Sequence, residues 1–378
     1  MPTDERRIRE LDGLRGVAIA MVLVSHFFLH KEDWGSPTIN HWLNQLIPLC
    51  SRGVDIFFVL SGYLIGGILL RHRASPTYFK TFYLRRAFRI LPAYWLLLLS
   101  FALIVPVDRH FRFGLLVYLQ DPIQHHLASY FLFIQNIVMA VTRIVDPWWL
   151  FVTWSLAIEE QFYLVIPWII RGFSLRATVW VCLVGLVGCP LLRWAYVVAD
   201  NHVAAERLLV CRFDALAAGV LIALLVQREP WFQRVTAYRG WLAGALVALG
   251  AAMLADFCLT KPVLIQEVFA PTVWALGAAF TLLHLKTAPG GLLAAGLRSR
   301  ALGYLGDISY FVYLFHLPFQ ATALVLVHHW TTRWDGWSLV AGLAAVIGAA
   351  AASRHLVELP LVKYAQRAFR YEPPEMAA

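Results

Sequence analysis

The sequence predicts an all-α fold: a polytopic membrane helix bundle of about ten transmembrane helices, with a re-entrant or interfacial segment near 127–141. Three observations carry that expectation. Hydrophobic residues make up 60% of the chain and charged residues 15%, with a mean hydropathy of +0.64, and so few charges are foreign to a soluble domain. Apolar stretches recur, each near the roughly 20 residues that a bilayer-spanning helix requires. Lys and Arg gather in alternate loops, which is how membrane proteins mark their cytoplasmic side.

The ten stretches fall at about 14–30, 53–70, 89–106, 149–170, 177–199, 209–227, 240–258, 264–285, 303–327 and 338–357. An eleventh, LASYFLFIQNIVMAV at 127–141, is shorter and carries Gln135 and Asn136. Charge decides how it is counted. If it does not cross, 20 Lys and Arg lie in cytoplasmic segments and 8 outside; if it crosses, the figures become 13 and 15. The positive-inside rule selects the first arrangement, with both termini cytoplasmic. Irregular backbone at membrane depth is tolerable where protein or a water-filled cavity covers it. No internal repeat or low-complexity linker is visible, so residues 1–360 read as a single transmembrane domain and 361–378 as a short cytoplasmic tail. The opening MPTDERRIRELDGLRG has no small-residue cleavage site, and the first helix is expected to be retained.

Composition also narrows the chemistry. Cys50, Cys182, Cys189, Cys211 and Cys258 are scattered without a CxxC or His/Cys cluster, which suggests neither a disulfide framework nor a zinc site. The net charge of +9 is explained by basic cytoplasmic loops, and nucleic acid is not an expected partner.

Ionisable residues inside spanning segments are costly and are functional candidates by default. In the first helix, LDGLRGVAIAMVLVSHFF, Arg15 and His26 are eleven residues apart. That spacing puts them within about 20° of one face and roughly 16 Å apart along the axis. A cation near the cytoplasmic boundary and a titratable base deeper in the membrane suit a long substrate with a phosphate head and a reactive tail, as in coenzyme A thioesters. The bland alternative is a snorkelling Arg15 and a His26 in an interhelical contact. In SRGVDIFFVLSGYLIGG, Asp55 stands near the outer end and is able to orient a histidine or a hydroxyl. Ser61, Gly62, Gly66 and Gly67 there read as a face for close helix packing.

YLRRAFRILPAYW brings Arg85, Arg86 and Arg89 onto adjoining faces of a cytoplasmic helical entry, fit to clamp phosphates or simply to anchor the helix. WSLAIEEQFYLVIP carries Glu159 and Glu160 into an apolar helix, where at least one needs a partner, unless the pair faces water. Trp154, Phe162 and Tyr163 form an interfacial aromatic belt or one wall of a pocket. Further on, Arg212 and Asp214 suggest an internal ion pair. Asp307, Tyr310, Tyr313, His316, His355 and Glu358 read mainly as structural polar contacts.

The blocks LDGLRGVAIAMVLVSH, GVDIFFVLSGYLI, LRRAFRILPAYW, WSLAIEEQFYL, RFDALAAG, GDISYFVYLFHLP and HLVELP, in that order from residue 11 to about 360, resemble the acyltransferase-3 family of bacterial membrane O-acyltransferases. Arg15 and His26 match the family's Arg-x10-His arrangement. The resemblance implies transfer of an acyl group, usually acetyl, from acetyl-CoA or another acyl-CoA as co-substrate to a hydroxyl of a glycan or glycoside. It places the protein in the bacterial cytoplasmic (inner) membrane, in contact with the lipid bilayer, with no metal needed because a thioester is already activated. An esterase-like domain carried by some relatives is not expected after the last helix.

Arg15, Arg85, Arg86 and Arg89 are then the expected phosphate ligands, and His26 the base or a transient acyl carrier. Glu159, with Asp55 as second candidate, would orient His26. Region 107–148 is the expected place for acceptor recognition. The intramembrane charges also suit a proton-coupled transporter or flippase, although no inverted repeat supports it, and a scaffold of a polysaccharide export complex is a third reading.

Overall fold

The computed structural model describes residues 8–28, 36–111, 127–145, 147–258, 263–330 and 336–373. Arg6, Arg7, residues 112–126 and 146 of the expected recognition region, and residues 374–378 of the tail lie outside these. The described residues form helices and connecting turns, without a strand, as a chain of long apolar runs demands: in lipid each backbone N–H and C=O must be satisfied within its own segment.

Seven described helices are long and apolar enough to cross a membrane: Arg9–Phe28, Gly53–Arg71, Tyr78–Phe111, Leu175–Val198, His202–Val226, Arg300–Leu326 and Ser338–Ala368. Each falls on an expected span. The other three expected spans differ for local reasons. The helix Thr153–Gly172 carries Glu159, Glu160 and Gln161, which lower its hydropathy. The stretch at 264–285 is divided into Val263–Val268 and Ala270–Thr287. The helix Arg239–Cys258 is apolar over Arg239–Ala251, a stretch shorter than a span.

The segment at 127–141 folds as two helices, Leu127–Phe131 and Gln135–Thr142, joined by a turn through Phe133 at φ 54°. At 1.5 Å per residue neither exceeds about 12 Å, too short to cross. Side-chain amides tie this break to neighbouring segments. Gln135 Nε2 donates to the Thr153 carbonyl (3.0 Å) and Asn136 Nδ2 to the Arg207 carbonyl (2.9 Å), while Gln161 Nε2 donates to the Phe133 carbonyl (2.7 Å). Both amides are buried and hydrogen-bonded, so the polar residues that interrupt the apolar run tie it to backbone carbonyls of other segments.

The chain divides into two compact units, Met1–Leu64 with Ala215–Ser309, and Ile65–Asp214 with Tyr310–Ala378. The chain passes between them inside the helices Gly53–Arg71, Leu209–Val226 and Arg300–Trp330.

In the first unit, missing side chains let backbones meet. A Cβ on Gly13 would strike the Leu297 carbonyl, one on Gly16 the Leu302 carbonyl, and one on Gly306 the Asp12 carbonyl. The first two turns of Arg9–Phe28 are thereby held against the start of Arg300–Trp330. An ion pair, Arg298 Nε to Glu10 Oε1 at 2.7 Å, closes the same end. Gly62 and Gly219 do likewise where Gly53–Arg71 crosses Leu209–Val226, against the carbonyls of Leu216 and Val59. The packing role expected of Gly62 is the one seen. Gly16→Leu and Gly306→Leu should each destabilise the protein by about 1–3 kcal/mol or more, through overpacking against backbone that cannot yield. Gly244→Ala, with nothing within 4 Å, should leave the melting midpoint unchanged in a thermal-unfolding comparison in detergent.

In the second unit, Tyr78–Phe111 packs along Thr153–Gly172. Tyr78 Oη donates to the Pro167 carbonyl (3.1 Å), Tyr83 Oη to the Leu164 carbonyl (3.0 Å), and Phe79 lies on Trp168 at 4.2 Å. Asp214 pairs with Arg193 at 2.9 Å, both side chains essentially inaccessible, and Arg193 also donates to the Cys211 carbonyl. Arg193 is thus a partner that the sequence pattern did not display, and the Arg212 guanidinium lies 6.0 Å over the Trp154 ring. The last long helix is interrupted by a π-helical turn, Arg354–Glu358, and continues as Leu359–Ala368. His355 and Glu358 therefore sit in a π turn and not in regular α geometry. The expected tail boundary at 360 falls within that continuing helix.

Candidate active site

Arg15 and His26 lie on one uninterrupted helix, Arg9–Phe28, and both are half-buried. The uninterrupted helix keeps the one-face register that eleven residues impose. Between them Ala18, Ile19 and Val22 are completely buried. Gly53, the first residue of Gly53–Arg71, rests on this stretch, where a Cβ would meet the Ala18 carbonyl and the Val22 side chain. Asp55 follows in the first turn of that helix and is completely buried. Arg52, three residues before it, brings Nη1 to 3.9 Å from Asp55 Oδ2 and donates through Nη2 to the Gln266 carbonyl at 2.9 Å. Sequence reasoning passed over Arg52, although the block SRGVDIFF displays it at i−3 from the carboxylate.

In the second unit, Glu159 Oε2 accepts from Tyr163 Oη at 2.8 Å, and the Arg86 guanidinium lies 6.0 Å over the Tyr163 ring. Arg86, Tyr163 and Glu159 thus make a chain from cation to carboxylate. Glu160 faces Glu159 and Arg86, and its Oε1 is buried without a hydrogen-bond partner among the described residues. Arg86, Arg354 and Glu358 act electrostatically on Arg89. Tyr310 Oη donates to the Ile90 carbonyl at 2.8 Å, and Tyr313 Oη shares a 2.6 Å hydrogen bond with Ser155 Oγ. Tyr163, expected as belt or pocket wall, is the link that holds Glu159.

Arg85 differs from its two neighbours. Its Nε donates to the Phe369 carbonyl (2.8 Å), its Nη2 to the Gln366 carbonyl (3.3 Å), and its guanidinium lies 5.2 Å over Tyr371. The basic cluster of the sequence is therefore divided: Arg86 lies over Tyr163 on a carboxylate-bearing helix, whereas Arg85 reaches the carbonyls that end Leu359–Ala368. His316 is completely buried, with Nδ1 against the Val312 (3.1 Å) and Tyr313 (2.8 Å) carbonyls. Carbonyls only accept, so Nδ1 carries a proton there, a structural arrangement. Arg193 escaped the sequence reading, though an arginine within the apolar run VCLVGLVGCPLLRWAYVV was signal enough. No cluster of three or more His, Cys, Asp or Glu suited to a metal occurs among the described residues.

Comparison with known proteins gives a consistent result. A family model described as an acyltransferase domain matches residues 8–354. Curated relatives include the "Peptidoglycan O-acetyltransferase OatA" of Listeria monocytogenes, 25% identical over 94% of this chain and 56% of its own length. The "Putative peptidoglycan O-acetyltransferase YrhL" of Bacillus subtilis is 29% identical over 96% of this chain and 56% of its own. A "Putative O-acetyltransferase" of Staphylococcus aureus strain COL is 23% identical over 97% and 59%. The chain thus spans less than three-fifths of the length of these relatives. No solved structure matches it.

Proposed function

The chain belongs to the acyltransferase-3 family, and on that premise we propose that it transfers an acyl group, acetyl in the first instance, from acyl-coenzyme A to a hydroxyl of a cell-envelope glycan. The family match across residues 8–354 carries the reading. The acceptor class is drawn from relatives named as peptidoglycan O-acetyltransferases. The proposed setting is the bacterial cytoplasmic membrane, with both termini on the cytoplasmic side, the orientation that the charge bias of the loops favours.

In the reaction, the acceptor oxygen forms a bond to the thioester carbonyl carbon while His26 takes the hydroxyl proton. The C–S bond then breaks and the proton passes to the departing coenzyme A thiolate. His26 as a transient acyl carrier gives the same net change in two steps. Within its own unit Asp55 is the carboxylate assigned to His26, and burial suits it to fixing one imidazole tautomer. Arg15 supports the donor end of the first helix. Arg86 and Arg89 are assigned to the donor phosphates, and Glu159, held by Tyr163, fixes the environment of Arg86.

Coenzyme A binding to the purified protein tests the donor assignment. Arg86→Ala and Arg89→Ala should each weaken binding by roughly tenfold or more, the scale of a lost charge-assisted hydrogen bond. Unchanged affinity would return both residues to a membrane-anchoring role.

A further inference from the structure

We propose that Arg85 is a positioning residue and not a phosphate ligand: it pins residues 366–373 as a strap across the basic end of Tyr78–Phe111, and the strap sets the donor-binding arginines. The proposal rests on the acyl-CoA reading above for its effect on the donor, while the strap itself rests on geometry alone.

Thr77, Thr81, Arg85 and Phe88 recur at i, i+4, i+8 and i+11, one stripe of a helix. Every member of that stripe touches the strap or the turn before it. The Thr77 and Thr81 hydroxyls both donate to the Arg370 carbonyl, at 2.9 and 3.0 Å, and the Glu372 amide donates back to Thr77 Oγ1 at 3.1 Å. Phe88 packs on Phe369 at 5.8 Å and on Tyr364 at 5.5 Å. Tyr371 lies flat on His72, 3.9 Å between centroids and 4° between planes, with the Arg85 guanidinium over its ring. Arg85 spends Nε and Nη2 on carbonyls that the end of Leu359–Ala368 leaves open, which is C-terminal capping by a cation.

The adjoining face of the same turns lies against Thr153–Gly172: Phe82 meets Tyr163 at 6.4 Å, and Arg86 covers the same tyrosine. The segment that carries Arg86 and Arg89 is thus clamped on two faces, by a helix and by the strap. Loosening the strap frees one of them. A phosphate ligand at Arg85 would have to surrender these carbonyl bonds, whereas Arg86 and Arg89 make none to the strap.

The test uses the full-length protein in detergent with Arg85→Lys and the double variant Thr77→Val/Thr81→Val. Lysine keeps a cation for a phosphate but loses the fork that reaches two carbonyls, and the threonine pair has no charge to offer a donor at all. Hydrogen exchange at residues 369–372 should quicken in both variants and stay slow in Arg86→Ala. The KM for acyl-CoA should rise about tenfold in both, the scale of one lost hydrogen bond to a charged group, with the acceptor KM unchanged. Slow exchange in Arg85→Lys, or a donor KM rescued by Lys and untouched by the threonine changes, would overturn the proposal. Failure of the wild-type protein to bind acyl-CoA would refute the donor reading instead, and the exchange measurement would still decide the strap.

Discussion

His26→Ala should lower the rate of acyl transfer by about 10²–10⁴-fold, the usual contribution of a positioned general base, while coenzyme A affinity stays near that of the wild type. The expectation follows from the division of labour along the chain. The donor phosphates are assigned to Arg86 and Arg89, which lie on Tyr78–Phe111, and the proton transfer to His26 on Arg9–Phe28. The substitution should therefore act on kcat and leave donor KM in place. His26 is half-buried, so truncation at this position should cost the fold less than loss of the fully buried pair discussed next. If His26 carries the acyl group, His26→Gln should also abolish any trapped acyl-enzyme. Transfer at the wild-type rate by His26→Ala would remove the histidine from the chemistry.

Asp214→Ala should cost roughly 3–5 kcal/mol, because it leaves the Arg193 guanidinium buried without its counter-charge. Both side chains are inaccessible and 2.9 Å apart. Arg193→Met/Asp214→Leu should recover much of that loss, since a well-packed apolar pair commonly matches a buried ion pair in stability. Denaturant unfolding in detergent, read as a double-mutant cycle, measures the coupling. A double variant as unstable as the sum of its singles would show that the two residues do not act as a unit.

Spanning helices were legible because their signal is local: an apolar run of sufficient length stays helical whatever it packs against. The break in the apolar run at 127–141 was legible for the same reason, since Gln135 and Asn136 interrupt it and their side-chain amides donate to backbone carbonyls of other segments. Long-range partners were not. Asp214 pairs with Arg193, 21 residues away and beyond an intervening helix, and no local pattern announces that pair. Arg85, Arg86 and Arg89 look alike as a basic cluster, but the carbonyls that claim Arg85 lie 281 and 284 residues away. Nothing in LRRAFR distinguishes a capping arginine from a ligand-binding one. The π turn at Arg354–Glu358 was equally hidden, because HLVELP fits either helical register. At the candidate site the types of residue were readable, and their partners had to come from the fold.

The central claim is acyl transfer from coenzyme A to a glycan hydroxyl, and one measurement addresses it directly: incubation of the purified, full-length protein with radiolabelled acetyl-CoA and envelope glycans. Label appearing on the glycan as an alkali-labile ester, dependent on the protein, is the result expected. Glycan movement across reconstituted vesicles with no label incorporated would contradict the claim and identify a transporter instead.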